Sequence, residues 1–363
     1  MRRALTILLL ALAALISTAQ PQATWLERQH DFGVFKEENG KVKCTMRLVN
    51  TGTEPLMIIK AQAGCGCTGI AYPETPIEPG DTATVEISYN PSGRPGQFTK
   101  QVIIFTNTVT RRTVLEIMGN VIPTDATLDK QYPLQAGDLR ISQNNIPFGE
   151  LVKGKNKTLY LSAYNASTDT IVVEARGGKD HIRTAVVPDT VPPARVTALT
   201  VHYSTKNVPL WGLNTDTLTL VNHPLNSALE SSADVYVMAQ VMEDFSNLTD
   251  QQRQDAPVVV VGCDDRLDFG TMTAGETYTR TFKITNRGKN PLAIRRLWAP
   301  EGEGVNIKVD RTEIKRGKQA IVTVTVDTSR VQDNMLNVPL TLMCNDPEMP
   351  RQTIRLVGII DKE

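Results

Sequence analysis

The sequence predicts an all-β protein built from three tandem antiparallel β-sandwiches, because one pattern of residues occurs three times along the chain. Each copy opens with a Phe-Gly pair, continues through alternating apolar and polar residues, and reaches an Asn-containing turn. The three openings are Phe32-Gly33, Phe148-Gly149 and Phe269-Gly270, and they lie 116 and 121 residues apart. A repeat of this length is too long for one layer of a solenoid, so each copy predicts a complete domain.

Period-two alternation over short runs predicts the individual strands. In the first copy Val85, Ile87 and Tyr89 alternate with polar residues, so these three side chains are expected to face the core. Gly, Pro and Asn interrupt such runs at intervals of roughly 8–15 residues. Short strands with tight turns at this spacing are typical of an immunoglobulin-like sandwich.

The repeat also predicts where the domains begin and end. A signal peptide is expected at residues 1–19, and three immunoglobulin-like domains at residues 25–122, 143–243 and 257–361. Pro123–Gln143 and Glu243–Pro257 lack alternation and are expected to be linkers, the second with a short helix over Asn247–Gln254. Linkers of this length predict a rod with limited bending.

A charged head, an apolar run and a small-residue cleavage site predict that the chain is exported. Arg2 and Arg3 precede the apolar run Ala4–Ile16, and cleavage is expected after Ala19. The run is too short for a comfortable membrane span, so the mature chain is expected to have no transmembrane segment. The predicted location is periplasmic or secreted, where cysteines can form disulfides.

Composition and motifs exclude several functions. The chain carries 39 Lys and Arg against 39 Asp and Glu, so no basic field predicts nucleic-acid binding. No hydrolase elbow, paired-His metalloprotease motif or acid/base constellation appears, and the four histidines are scattered. The sequence therefore predicts a protein that is not an enzyme and uses no cofactor.

Cys65 and Cys67 are the residues with the most chemical potential, and four interpretations compete for them. They form a structural disulfide, either with each other or with Cys44; they bind a soft metal such as Cu(I) or Zn(II); they are exchangeable redox thiols; or they are free. A structural disulfide is favoured. A metal site needs further ligands, and His30 is the only imidazole nearby in the sequence.

Cys263 and Cys344 flank the third domain, so they are candidates for a disulfide that closes it. The competing interpretation is two buried thiols, because the first copy has no cysteines at the matching positions. Five cysteines leave at least one unpaired within a monomer, and Cys44 is the candidate for that thiol.

The first copy resembles a known family through six motifs that occur in order. They are His30-Asp31-Phe32-Gly33, Asn50-Thr51-Gly52, Pro55-Leu56, Gly64-Cys65-Gly66-Cys67-Thr68, Pro76-Ile77-Glu78-Pro79-Gly80 and Gly96-Gln97-Phe98. Together they resemble the bacterial secreted family called domain of unknown function 1573, which is similar to the ASPM/SPD-2/Hydin and major-sperm-protein immunoglobulin-like domains. The resemblance implies a fold and an exported location, and carries over no activity.

The Cys-Gly-Cys-Thr hallmark of that family is present in one copy only. When the copies are aligned on the Asn turn, Glu301 and Glu303 replace the cysteines in the third copy. Asp180 and Ile182 stand there in the second copy. The sandwich is therefore expected to fold without the two cysteines.

Four Asp-Thr-apolar triplets resemble the O-glycosylation sequon of one group of Gram-negative bacteria. The candidate acceptors are Thr82, Thr170, Thr190 and Thr217. The alternative interpretation is that these triplets simply begin strands, since Asp favours turns and Thr favours sheet.

The predicted function is that of a non-catalytic binding or scaffold protein of the cell envelope, which presents immunoglobulin-like sheet edges to an unidentified protein partner. The alternative is a periplasmic thiol, metal or redox protein that uses Cys65 and Cys67. A third possibility is a structural spacer that holds another component away from the membrane.

Overall fold

The computed structural model describes residues 19–208 and 210–361, and these fold almost entirely into β-strands. Their strands form six sheets, which pair into three sandwiches, each with its own hydrophobic core. The predicted all-β class and the tandem immunoglobulin-like sandwiches are confirmed. The predicted signal peptide lies almost wholly outside the described residues.

The first sandwich contains eight strands. They are β1 (Ala23–Trp25), β2 (Gln29–Lys36), β3 (Val42–Asn50), β4 (Ile58–Ala63), β5 (Thr68–Ala71), β6 (Thr82–Tyr89), β7 (Gly96–Thr106) and β8 (Arg112–Ile122). The two sheets have the strand orders β1-β3-β6-β5 and β2-β8-β7-β4. Val85, Ile87 and Tyr89 face the core and are at most 1% exposed, as the alternation predicts.

The second sandwich contains ten strands. They are β9 (Leu134–Ala136), β10 (Leu139–Ile141), β11 (Asn145–Val152), β12 (Asn156–Asn165), β13 (Ile171–Gly177), β14 (Ile182–Val187), β15 (Thr190–Val191), β16 (Val196–Ser204), β17 (Gly212–Pro224) and β18 (Ser231–Met242). The sheets have the orders β14-β16-β12-β10-β9 and β11-β18-β17-β13-β15. Strands β9 and β10 lie within the segment that the sequence analysis treats as linker. At three residues each, they are too short for alternation to reveal them.

The third sandwich contains nine strands. They are β19 (Val259–Val261), β20 (Arg266–Thr273), β21 (Thr277–Asn286), β22 (Leu292–Trp298), β23 (Val305–Val309), β24 (Glu313–Ile314), β25 (Gln319–Asp327), β26 (Met335–Cys344) and β27 (Arg351–Asp361). The sheets have the orders β19-β21-β25-β23 and β20-β27-β26-β22-β24. The same connectivity therefore recurs in all three sandwiches.

The repeated Phe-Gly pair forms a bulge in the first long strand of each sandwich. Strands β2, β11 and β20 each run parallel to the last strand of their sandwich, and each pairing shifts register at the Phe-Gly pair. The glycine there has φ between +66° and +71°, a conformation that side chains with a Cβ rarely adopt. This requirement explains why the pair recurs.

A buried Asn side chain closes the same turn in every sandwich. Asn50, Asn165 and Asn286 are 0% exposed and are the last residues of β3, β12 and β21. Each side-chain amide donates two hydrogen bonds of 2.7–2.9 Å to backbone carbonyls, and its oxygen accepts one from the backbone N–H two residues on. Backbone groups therefore provide partners for both N–H donors and for the oxygen of each Asn side chain.

One of the two acceptor carbonyls in each sandwich belongs to a buried residue that closes a long excursion of the chain. In the first sandwich the Ile77 carbonyl accepts from Asn50 and also from the Leu56 N–H, and Ile77 donates back to Leu56. The matching closures are Ile171–Val191 and Leu292–Ile314. In each sandwich the two residues of this pair hold together the start and the end of the excursion. We call this closure the base of the excursion.

We expect Asn286→Ala to lower the free energy of unfolding of the third sandwich by about 3 kcal/mol, because it leaves buried backbone groups without partners. Hydrogen exchange of the β21 and β25 amides measures the change. Asn290→Ala is the matched control, since only the backbone carbonyl of Asn290 takes part. Equal exchange in both variants would contradict the assigned role.

The first and second sandwiches are joined by the helix Asp125–Gln131, which Glu37 holds in place. The Glu37 carboxylate accepts hydrogen bonds from the Thr124 N–H at 3.0 Å, the Gly93 N–H at 2.6 Å and the Thr127 hydroxyl at 2.9 Å. Burial raises the pKa of Glu37, but these hydrogen bonds outweigh it, so the pKa lies below its ordinary value.

Two tryptophans and two arginines join the second and third sandwiches. Arg296 donates to the backbone carbonyls of Trp211 and Leu213 at 3.0 and 2.9 Å, and its guanidinium lies 4.5 Å from the centre of the Trp298 ring. Arg295 forms two 2.8 Å hydrogen bonds with the carboxylate of Glu243. The sequence analysis gave no signal for this junction, because the residues that meet are about 85 positions apart.

The second linker also contains the predicted helix, in a shorter form. It spans Asp250–Gln254, and Thr249 begins it with a capping box completed by Gln252. The sequence analysis placed its start three residues earlier, at Asn247.

We expect Glu37→Gln to increase hydrogen exchange of the Asp125–Gln131 amides at pH 7, because the charged acceptor is lost. A lowered pKa stabilises the fold above the unfolded pKa, and that contribution disappears as the pH falls through the folded pKa. The difference from the wild type should therefore shrink in acid. The exposed Glu38→Gln is the control, and a difference independent of pH would contradict the prediction.

Candidate functional site

The candidate site is the loop that carries residues from one sheet to the other in the first sandwich. We call the segments 64–67, 178–181 and 299–304 the bridging loops of the three sandwiches; each lies between the two strands of the excursion described above. In the first bridging loop Cys65 and Cys67 form a disulfide with a Cα–Cα distance of 5.3 Å. Cys67 is 6% exposed, whereas Cys65 is half-buried.

The hydroxyl of Thr68 lies beside both sulfurs. Its Oγ1 is 3.6 Å from Cys65 Sγ and 3.8 Å from Cys67 Sγ. Thr68 is buried and begins β5, so its position is fixed by pairing with β6. The sulfurs therefore share one polar neighbour that can donate a hydrogen bond to either of them.

Backbone hydrogen bonds identify the equivalent positions in the other sandwiches. The Cys67 carbonyl accepts from the Asn90 N–H at 2.9 Å. The same bond is made by the carbonyl of His181 at 2.8 Å and by that of Gly304 at 2.9 Å. The structural counterparts of Cys67 are therefore His181 and Gly304.

This equivalence corrects the alignment made from sequence. Asp180 with Ile182, and Glu301 with Glu303, do not occupy the cysteine positions. From the buried Asn, Cys67 lies 17 residues along the chain, His181 lies 16 and Gly304 lies 18. This distance thus varies between 16 and 18 residues among the copies, which an alignment on the Asn turn cannot show.

In the second bridging loop, Lys179 and His181 contact the buried carboxylate of Asp216 in place of a disulfide. His181 Nε2 lies 2.8 Å from Asp216 Oδ2, and Lys179 Nζ lies 2.7 Å from Asp216 Oδ1. Lys179 and His181 stand where Cys65 and Cys67 stand in the first loop, since the Lys179 carbonyl also accepts from the first residue of the next strand. Asp216 belongs to β17, whereas His181 directly precedes β14 in the other sheet. The contacts with Asp216 therefore tie the two sheets together.

The environment of Asp216 favours its charged form. Burial raises the pKa of this carboxyl, but hydrogen bonds from Lys179 and His181 outweigh it and hold the pKa below its ordinary value. Tyr203 packs edge-on against His181, and burial together with the Asp216 charge raises the pKa of Tyr203 to about 12. The sequence analysis missed this cluster, because Asp216 lies 35 residues from His181 and no motif links them.

The third bridging loop uses neither device. Gly304 has φ +66°, and a Cβ there would lie 2.5 Å from the Asp327 carbonyl oxygen. Glu301 and Glu303 are exposed. Glycine therefore lets this loop pack directly against the backbone at the end of β25, the strand that pairs with β23.

The other three cysteines are free thiols. Cys44 and Cys344 are buried, and Cys263 is half-buried. Burial raises the pKa of each to about 11, so all three are protonated near neutral pH. Cys263 and Cys344 do not close the third sandwich with a disulfide.

No group of three or more His, Cys, Asp or Glu side chains that could hold a metal ion occurs in residues 19–208 and 210–361. His30, the imidazole nearest to the cysteines in sequence, packs edge-on against Phe32 at 4.6 Å. No helix in this part of the chain is long and apolar enough to cross a membrane.

The four candidate acceptor threonines lie at or near the surface. Thr82, Thr190 and Thr217 are exposed, and Thr170 is half-buried. Thr82 and Thr190 are the first residues of their strands, whereas Thr217 lies in the middle of β17. Their modification stays a prediction.

Two family models match the chain, one over the first sandwich and one over the third. Residues 23–121 match the family described as "Protein of unknown function (DUF1573)". Residues 261–359 match the family described as "HYDIN/CFA65/VesB-like, Ig-like domain". The predicted resemblance is confirmed over these residues. No curated protein matches the chain.

Solved structures similar to this chain share little sequence with it. A protein of unknown function from Porphyromonas gingivalis W83 is 19% identical, with a TM-score of 0.48, over 61% of this chain and 100% of that one. The endo-fucoidan hydrolase MfFcnA4 from glycoside hydrolase family 107 is 13% identical, with a TM-score of 0.26, over 95% of this chain and 45% of that one. The ASH/PapD-like domain of human CEP192 is 12% identical, with a TM-score of 0.26, over 31% of this chain and 92% of that domain. Similarities at this level support no functional argument.

We expect the double variant Cys65→Ser, Cys67→Ser to keep the fold of the first sandwich and to lose only about 1–2 kcal/mol of stability, because the disulfide closes a very short loop. Urea unfolding of the wild type and the variant measures the loss. Loss of the β-sheet signal in the circular-dichroism spectrum would show that the sandwich requires the bond.

Proposed function

We propose that this protein is a non-catalytic scaffold of the bacterial cell envelope that binds an extended segment of a protein partner at a sheet edge. Export is supported by the charged head, apolar run and small-residue cleavage site at the N-terminus. Binding is supported by the immunoglobulin-like sandwiches and by the match to a family of unknown function over the first of them.

The observation that carries this proposal is the regular open edge formed by β14. This strand pairs with β16 over six consecutive residues without a register shift, and it is the outermost strand of its sheet. In contrast, the longer edge strands β2, β11 and β20 are interrupted by the Phe-Gly bulge, and β4 by a shift after Ile58. A regular edge can accept an added strand, whereas a bulge discourages one.

Two of the three exposed side chains on the outer face of β14, those of Ala185 and Val187, are apolar, and the third is that of Arg183. Val187 is 63% exposed and Ala185 is exposed. Tyr160, which is 67% exposed, lies in the same row as Ala185, because both pair with Thr200 from opposite sides. A partner segment with apolar side chains at alternate positions would find contacts here besides its backbone hydrogen bonds.

Contacts at both junctions of the second sandwich support a scaffold that holds this edge in a defined position. On one side, Glu37 holds the helix Asp125–Gln131 to the first sandwich, and Arg140 of the second sandwich donates hydrogen bonds to Asp129 and to the Tyr132 carbonyl at the end of that helix. Arg295 and Arg296 fix the second sandwich on the other side. A partner bound at β14 is therefore presented by a molecule whose junctions are made of specific side-chain contacts.

A photo-crosslinking amino acid at Ala185 tests the binding edge in cells that make the protein natively. The control position is Ile321, which is also an exposed apolar residue, at 44%, but lies on the central strand β25 with no free backbone edge. We expect a discrete protein adduct at position 185 and none at 321.

A charge on the same edge makes the test specific. Val187→Lys should reduce the adduct at position 185 at least tenfold, because it places a charge where an apolar segment would dock. The matched variant Ile321→Lys should leave the adduct unchanged. Equal adducts at both crosslinking positions, or an adduct that survives Val187→Lys, would contradict binding at β14.

A further inference from the structure

The sandwich fold does not require the disulfide of the first bridging loop, because the other two copies fold without one. The second and third bridging loops make the same backbone hydrogen bond as Cys67, from His181 and Gly304, and neither has a disulfide. The base of the excursion is closed in all three copies by the buried Asn and an apolar pair. The bond between Cys65 and Cys67 is therefore available for chemistry.

The two sulfurs differ in how a reagent can reach them. Cys65 is half-buried and lies between Gly64 and Gly66, which are both exposed. A Cβ on Gly66 would meet no atom within 4 Å, so the space beside the bond is open. Cys67 is 6% exposed and packs in the core of the sandwich. An attacking thiolate can thus approach Cys65, while Cys67 is shielded.

Thr68 is placed to assist the departure of the shielded sulfur. A thiolate in an apolar environment is unfavourable, as the raised pKa of the buried Cys44 thiol in the same core illustrates. The Thr68 hydroxyl, 3.8 Å from Cys67 Sγ, can donate a hydrogen bond to that sulfur when it becomes charged. The strand pairing of Thr68 with Tyr89 holds the hydroxyl there before the reaction begins.

We propose that Cys65 and Cys67 form an exchangeable redox pair that oxidises a dithiol substrate. A thiolate of the dithiol attacks Cys65 Sγ, the Cys65–Cys67 bond breaks, and its electron pair leaves on Cys67 Sγ, to which Thr68 donates a hydrogen bond. The second thiolate of the dithiol then attacks the substrate sulfur that is bonded to Cys65. The bond between that sulfur and Cys65 Sγ breaks, and Cys65 is released as a thiolate. The dithiol becomes a disulfide, and its two protons and two electrons end on the cysteine pair.

Variants that keep only one cysteine of the pair test which sulfur is attacked; the buried Cys44 and Cys344 stay in place in all of them. All of them carry Cys263→Ser in the full chain, because Cys263 is the half-buried free thiol. In Cys67→Ser the remaining Cys65 should form a mixed disulfide with oxidised glutathione, located by peptide mass spectrometry. In Cys65→Ser the buried Cys67 should react at least tenfold more slowly. Equal rates, or faster reaction at Cys67, would overturn the assignment of Cys65.

Reduction of the intact pair tests whether the bond exchanges at all. In folded protein, dithiothreitol should reduce the Cys65–Cys67 bond at a rate within about tenfold of that for oxidised glutathione, since a solvent-reachable, tight loop is readily exchanged. Circular dichroism should show that the sandwich stays folded throughout. A bond that resists reduction until the protein is denatured would overturn the proposal.

Thr68 acts as a positioning residue, and its variants separate that role from simple packing. Thr68→Val should slow reduction several-fold and raise the pH at which the Cys67 thiol ionises in reduced protein. Thr68→Ser restores the hydroxyl and should restore both values. A serine variant that behaves like the valine variant would show that Thr68 only fills space. The crosslinking result at β14 is independent of these measurements.

Discussion

The structure depends on one buried side chain that is repeated three times: the Asn at the end of β3, β12 and β21. Its amide group joins the turn that follows to the carbonyl at the far end of an excursion of about twenty residues. A buried amide that lost these partners would cost more than an ordinary hydrogen bond contributes, so the base of the excursion cannot vary freely. The tip of the excursion is under no such constraint, and the three bridging loops differ there.

The three sandwiches close the excursion in the same way but have chemically different bridging loops. The candidate site lies in the bridging loop because that is where the copies differ. In the first sandwich a disulfide closes the loop, in the second Lys179 and His181 close on Asp216, and in the third Gly304 packs against backbone. In each arrangement the carbonyl of Cys67, His181 or Gly304 still accepts the same hydrogen bond from the backbone at the end of the neighbouring strand. Residue chemistry at the tip is thus separated from the requirements of folding, as is common for functional loops on a rigid scaffold.

Alternation and turn residues were sufficient to predict the fold class, because a two-residue period and a repeated turn are local properties of the chain. The buried positions Val85, Ile87 and Tyr89 followed from that period. The equivalence of Cys67 with His181 could not be predicted from the sequence. The two loops differ in length by one residue, and only the backbone hydrogen bonds establish which residues correspond. The pair of His181 with Asp216 and the contact of Arg296 with Trp211 join residues far apart in sequence, and no local pattern encodes such contacts.

The state of the disulfide bears on a sheet edge as well as on a loop. Strand β5 begins at Thr68, directly after Cys67, and is the outermost strand of its sheet, the position that β14 holds in the second sandwich. The disulfide constrains the connection that leads into β5, while Asn50 and the Leu56–Ile77 closure hold the base of the excursion. In the second sandwich the contacts of Lys179 and His181 with Asp216 hold the corresponding connection without a disulfide. The two sandwiches therefore present topologically equivalent edges, of which only the first directly follows a disulfide.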